Sequence, residues 1–204
     1  MKEQNDDLEL ERRNIILKAG MEVLFEYGYL GASVDEVVRR AGGSKRTVYK
    51  YFDNKEGLFA AIVANLVEQM MAPLQPEITD EKGLYDTLEN LGQNYLSVLL
   101  QKESIAIFRI VVSEGARFPE LGNALFESGP GVAVERLSKY LRRQTDLGVL
   151  KVNDAEAAAR QYYGMIRSDL HMRALLGLEL PDKEEIDEGI SRAVDIFIKE
   201  YDVD

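Results

Sequence analysis

Between Ser33 and Phe52 the chain sets two short apolar-striped stretches on either side of the pair Gly42-Gly43. The first, Val34 to Ala41, puts Val34, Val37, Val38 and Ala41 on one helical stripe, and Ser33 stands where an N-cap belongs. The second, Lys45 to Phe52, follows Ser44, another N-cap candidate. Two short helices joined by a tight glycine turn predict a helix-turn-helix. Upstream, Ile16, Ala19, Val23 and Tyr27 recur at helical spacing between Leu8 and Tyr27, and Gly28 ends the run. Downstream, Asp53 or Asn54 caps a long fourth helix over Lys55 to Met71, which Pro73 terminates.

Charge singles out the same stretch. The 204-residue chain carries a formal net charge of −11, an unpromising figure for a partner of a polyanion. Residues 39–55, however, hold six cations, Arg39, Arg40, Lys45, Arg46, Lys50 and Lys55, against Asp53 alone. Most of the excess negative charge falls in residues 72–204. Such a distribution repels DNA from every face except the one that bears the basic stretch.

Winding residues 45–52 at 100° per residue brings Val48 and Phe52 within about 40° of each other, so these two anchor the helix to its own domain. Arg46, Thr47 and Lys50 fall on the opposite arc, and Tyr49 and Tyr51 flank the buried stripe. That exposed arc suits a major groove. Arg46 is the candidate base reader, since a bidentate arginine contact to guanine discriminates by roughly 1–3 kcal/mol. Thr, Tyr and Lys groups mostly hold phosphates and set register. The backbone amides near Ser33 and near Lys55, at the starts of the second and fourth helices, offer two further anion sites. A basic, tyrosine-bearing short helix also serves as a plain solvated face, so its context has to decide.

Beyond Pro73 and Pro76 the periodicity predicts helices over about 82–101, 103–116, 119–145 with a break at Gly129-Pro130-Gly131, 154–176 and 183–201. The expected fold is therefore all-α with about nine helices. A three-helix helix-turn-helix domain continued by the fourth helix, residues 8–71, precedes a larger helical domain, residues 72–204, with the boundary in the Pro73–Thr79 stretch. No apolar run reaches the roughly 18 residues of a membrane span, and the Met1–Glu11 stretch is polar, which predicts a cytoplasmic protein without a membrane partner. The absence of cysteine and the single histidine, His171, leave little for a metal site or a catalytic triad. No GxSxG, HExxH, GxxxxGK or GxGxxG motif occurs, so neither an enzyme nor a cofactor is expected.

The stretch GYLGASVDEVVRRAGGSKRTVYKYFDNKEGLFAAIV, residues 28–64, closely resembles the DNA-binding domain of TetR-family regulators, and IILKAGMEVLFEYGY before it is similar to that family's first helix. The most specific part is SKRTVYKYFDNKE. The resemblance implies that Ser33, Ser44, Lys45, Arg46, Thr47, Tyr49, Tyr51 and Lys55 face DNA, with Lys45 and Arg46 at the most operator-dependent positions; the angular reading adds Lys50. Two departures stand out. Gly43 occupies a position where the family usually has a small apolar residue, and Gly20 replaces a common Ala inside the first helix, each at a cost of roughly 1 kcal/mol for a helical glycine.

Residues 108–130, FRIVVSEGARFPELGNALFESGP, resemble the regulatory domain of the AefR-like branch. This implies a homodimer formed through the last two long helices, about 154–176 and 183–201, on a near-palindromic double-stranded operator, with a small-molecule effector releasing a repressor. Ala155, Ala158, Ala159, Tyr162, Met165 and Ile166, then Ile186, Ile190, Val194, Phe197 and Tyr201, supply apolar residues at helical spacing, a pattern that serves an intramolecular core equally well. Tyr95, Phe108, Phe118, Tyr162, Met165 and Met172 are the candidate lining of the effector pocket, again against a plain core role. His171 is expected to be structural or at the surface, and Arg109, Glu114 and Arg117 to pair within the helical domain. A protein-interaction module on the same three-helix scaffold is the remaining alternative, and it lacks the steep salt dependence of phosphate binding.

Overall fold

The computed structural model describes residues 2–72, 78 and 83–203, with side chains from Asp7 onward. Among the described residues there is no strand, and the α-helices follow in the order α1 (Lys2–Gly31), α2 (Val34–Ala41), α3 (Lys45–Phe52), α4 (Lys55–Met71), α5 (Leu84–Leu99), α6 (Lys102–Glu114), α7 (Pro119–Phe126), α8 (Val132–Asp146), α9 (Ala155–Arg167), α10 (Leu170–Leu176) and α11 (Lys183–Tyr201). The chain falls into two compact units, residues 1–70 with 106–129, and residues 71–105 with 130–204. The expected boundary at Pro73–Thr79 lies, apart from Ile78, outside the described residues.

In the first unit α1 begins well before Leu8, because nothing in the Lys2–Asp7 stretch breaks a helix, and it is interrupted at Gly28, whose φ of 65° is non-helical. Ser33 and Ser44 cap α2 and α3 as expected: the Glu36 and Thr47 amides donate to their hydroxyls at 3.2 Å each. Asn54 caps α4, its Oδ1 accepting from the Gly57 amide at 2.7 Å, while Asp53, with φ 59°, closes α3 by donating its amide to the Tyr49 carbonyl at 3.0 Å. Ile16, Leu24, Val37, Val48, Leu58, Phe59 and Ile62 are buried; each such side chain contributes roughly 1.5–3 kcal/mol. Gly20 has a reason here. A Cβ at that position would stand 2.3 Å from Ile62 Cδ1, so the missing methyl is what lets α1 lie against α4.

The later part of α6 and α7 belong to the same unit and bury Ile107, Val111, Leu121 and Leu125. Phe118, just before α7, sets its ring 4.5 Å from that of Tyr29, which in turn meets Phe59 edge-on at 5.5 Å.

The second unit is built from α5 and α8–α11, with α8 packed on α9 and α11 packed on both α5 and α9. Its centre is Tyr162, fully buried, whose hydroxyl donates to the Leu88 carbonyl and whose ring meets Tyr163 at 5.2 Å and Phe197 at 5.4 Å. Asp154 and Asp182 cap α9 and α11. Two of the nine expected helices are each divided. The one over 119–145 divides at its expected break into α7 and α8, separated by a π-helical turn, Glu127–Gly131, that accommodates Pro130 and its missing N–H. The one over 154–176 is cut at Ser168, whose φ of 44° turns the chain so that Leu170 and His171 are buried. Neither glycine nor proline marks that second break.

Candidate nucleic-acid interface

The helix α3 is held from beneath. Val48 and Phe52 are buried at 1% and 5% exposure, and the Arg13 guanidinium of α1 lies 5.5 Å from the Phe52 ring centre. The opposite side is open: Lys45, Arg46, Tyr49 and Lys50 are exposed, and Thr47 and Tyr51 half-buried. Thr47 Oγ1 lies 3.0 Å from Ser44 Oγ, so the first turn of the helix is tied by its own hydroxyls. Ser33 is exposed at the start of α2, and Lys55 opens α4 half-buried.

The six cations of residues 39–55 are not equally available. Arg39 is bound to Glu36 at 2.5 Å, and Arg40 to Glu36 at 2.8 Å and to Glu26 of α1 at 2.6 Å. The two arginines hold the Glu36 carboxyl down at about 2, well below the usual carboxylate range, chiefly through their hydrogen bonds. Lys45 pairs with Asp35 at 2.9 Å and Lys50 with Glu9 at 2.6 Å, and each lysine is pushed up by that hydrogen bond. The Lys55 ammonium sits 5.2 Å from the Tyr29 ring centre and 5.8 Å from that of Phe59. Among the described residues Arg46 alone of the six is exposed without an ion pair or ring contact.

The local charge excess read from the sequence is therefore partly cancelled by Glu9, Glu26, Asp35 and Glu36. Glu9 and Glu26 lie too far away along the chain for a count over residues 39–55 to include them. Surface pairs of this kind are worth 0–1 kcal/mol, so a phosphate can take either lysine from its carboxylate at small cost. Arg46 needs no such exchange.

Arg12 of α1, which the sequence reading passed over, donates from Nη1 to the Ala41 carbonyl at 2.9 Å and from Nη2 to the Gly42 carbonyl at 2.5 Å. Only its position one turn before Ile16 on the buried side of α1 could have signalled it.

The six residues named as a pocket lining are divided between the two units. Tyr95 and Tyr162 are buried in the second unit, both against Tyr163. Phe118 belongs to the first unit, held by Tyr29 and by the Arg117 guanidinium at 5.3 Å; Phe108, in the same unit, is half-buried. Met165 lines a groove of about 520 Å³ between α9 and α11, and Met172 is 59% exposed on α10. Those two do not share the interior of Tyr95 and Tyr162. His171 is buried, and burial together with the nearby Arg167 pulls its imidazole down to about 4.

Residues 16–62 match the family described as bacterial regulatory proteins, tetR family, and residues 86–203 match the AefR-like transcriptional repressor C-terminal domain. The flavonoid-responsive regulator FrrA has a solved structure with a TM-score of 0.84 to this chain at 30% identity, covering 94% of this chain and 97% of that one. A TetR transcriptional regulator from Agrobacterium tumefaciens is similar at 31% identity and a TM-score of 0.74, with 94% of each chain covered. The uncharacterized HTH-type transcriptional regulator YvkB of Bacillus subtilis is 29% identical over 144 residues, 70% of this chain and 73% of its own. With two family domains matched in order on a helix-turn-helix whose reading helix is anchored and open, the chain belongs to the TetR family of DNA-binding transcriptional regulators, a class without enzymatic activity.

Proposed function

We propose that the protein is a cytoplasmic repressor that binds a near-palindromic operator as a homodimer and leaves it when a small molecule binds. In this reading residues 8–71 form the DNA-binding domain and residues 72–204 the effector-binding and dimerisation domain. Two copies of α3 enter successive major grooves, at centre spacings near one helical turn, roughly 34–36 Å, or a small multiple of it. Arg46 reads a base edge. Ser33, Ser44, Lys45, Thr47, Tyr49, Lys50, Tyr51 and Lys55 hold the backbone. The observation that carries this reading is Arg46 itself, exposed and unpaired among the described residues on a helix fixed by Val48 and Phe52.

Dimerisation is supported by the groove between α9 and α11. Met165 lines it half-buried, Ile196 is 55% exposed on its rim, and Gly164 leaves open space where a second copy could approach closely. The branch descriptor names a repressor, which supports the sign of regulation. An aromatic effector is the class to try first: FrrA is described as flavonoid-responsive, and Tyr95, Tyr162 and Tyr163 already form an aromatic cluster in the second unit. A coupling of about 1–3 kcal/mol between effector and operator changes affinity some 5- to 150-fold.

The test is a mobility-shift titration on DNA flanking the protein's own gene, comparing wild type, Arg46→Ala and Tyr49→Phe at 50 and 200 mM salt. Wild type is expected to lose about 10³–10⁵ in affinity across that range if on the order of ten phosphates are neutralised. Arg46→Ala relaxes base preference, and Tyr49→Phe weakens all sequences alike; identical behaviour of the two variants contradicts the assigned roles.

A further inference from the structure

Three side chains on one face of α1, Glu9, Arg12 and Arg13, stand at the i, i+3 and i+4 spacing of a helical stripe, ahead of the stretch that matches the family domain. All three reach the α2–turn–α3 segment. Glu9 takes Lys50 near the far end of α3, Arg13 lies over Phe52, and Arg12 binds the last carbonyl of α2 and the carbonyl of Gly42. The contact made by Arg12 differs in kind from the other two. Carbonyls at a helix C-terminus have lost their intrahelical donors and form the negative end of the helix dipole, and one guanidinium here answers two of them.

Gly43 is the counterpart of that contact. With φ at 86°, it follows the second bound carbonyl, and a Cβ on it would stand 2.4 Å from Arg12 Nη2. A side chain at 43 would press on the end of the guanidinium and oblige it to shift from its present bonds, while the positive φ itself favours glycine at this position.

Resting on the reading that α3 carries the operator contacts, we propose that Arg12 is a positioning residue for DNA recognition. Its two hydrogen bonds lock the turn between α2 and α3 and so fix the pose from which Arg46 and its neighbours meet the groove, and Gly43 is present to admit it. Arg12 itself does not touch DNA in this scheme.

The experiment compares wild type with Arg12→Ala, Arg12→Lys, Gly43→Ala and the double variant Arg12→Ala/Gly43→Ala. Operator and random-duplex affinities are measured, with thermal unfolding and amide exchange at residues 41–46 alongside. Loss of two charge-assisted bonds predicts an operator affinity about tenfold lower for Arg12→Ala, with much less change on random duplex and faster exchange at Gly42–Ser44. A lysine ammonium is a point charge without the fork that spans two carbonyls, so Arg12→Lys restores little. The double variant loses less than the sum of the single ones. Full restoration by Arg12→Lys, or a parallel loss on random duplex, would show a phosphate contact and overturn the proposal; so would wild-type exchange and affinity in Arg12→Ala. If Arg12→Ala fails to fold, Arg12→Lys and Gly43→Ala carry the same comparison. Wild type that ignores all DNA defeats the operator reading instead, while the exchange data still judge the clamp.

Discussion

The Lys55 ammonium rests 5.2 Å from the centre of the Tyr29 ring, and that ring is itself backed by Phe118 at 4.5 Å. A residue just before α7 thus supports, through one aromatic ring, a cation at the start of α4. Lys55→Ala is expected to weaken binding to every sequence alike and to reduce the slope of log affinity against log salt by about one. Phe118→Ala is expected to produce a smaller loss of the same kind. Tyr29→Phe keeps the ring and removes a hydroxyl that is buried without a hydrogen-bond partner among the described residues, and burial has already pushed that phenol up to about 12. This variant should bind as wild type does and unfold at the same or a higher temperature, by up to about 1–3 kcal/mol of relieved desolvation. Scanning calorimetry checks it.

Gly20→Ala tests how closely α1 and α4 approach. The added methyl meets Ile62 Cδ1, and overpacking of this kind costs about 1–3 kcal/mol, partly offset by alanine's better helix propensity of about 1 kcal/mol. Ile62→Val, which lacks that Cδ1, should recover most of the loss in the double variant. Urea denaturation of the four proteins gives the answer.

Glu9→Gln and Asp35→Asn free Lys50 and Lys45 from their carboxylates. Each is expected to tighten binding to random duplex by up to about fivefold, the limit set by a surface pair worth 0–1 kcal/mol. Anisotropy titrations at 100 mM salt measure this, and no change in either variant means that the pairs are not maintained in solution.

Stability should also fall in mild acid. The folded protein holds His171 neutral down to about pH 4, whereas the unfolded chain protonates it near 6.5. Stability is therefore complete above pH 6.5, declines as pH drops toward 4, and changes no further below that from this group. The full shift corresponds to at most about 3 kcal/mol, and partial solvation brings the expectation to about 1–2 kcal/mol. His171→Gln should flatten the stability profile between pH 7 and pH 5.

Much of the first unit is legible in the sequence because its signals are local. Ser33 and Ser44 cap where they stand, Gly28 interrupts α1 and Gly42 ends α2 where they stand, and Val48 and Phe52 reveal the buried side of α3 by spacing alone. What stays hidden is decided by partners distant in the chain. Glu26 and Arg40 are 14 residues apart, Glu9 and Lys50 are 41, and Arg12 and Gly42 are 30. Gly43 looks like a costly departure until Arg12 is seen beside it. In the second unit the periodicity of 154–176 predicts one helix, and the left-handed Ser168 divides it because burial of Leu170 and His171 outweighs a local preference. The proposed lining from Tyr95 to Met172 is divided between the two units, because helical spacing identifies an apolar side chain without saying which neighbour it will meet.

A regulator searches among roughly 10⁶–10⁹ competing stretches of duplex before it meets its own site. A reading head that brings its own counter-ions for Lys45 and Lys50 holds on weakly to all of them, since each transient landing must first undo those pairs. Among the described residues Arg46 has no ion pair to relinquish. If α3 meets the operator as proposed, these acidic partners lower the background of idle occupancy across the genome while leaving the proposed base reader, Arg46, untouched.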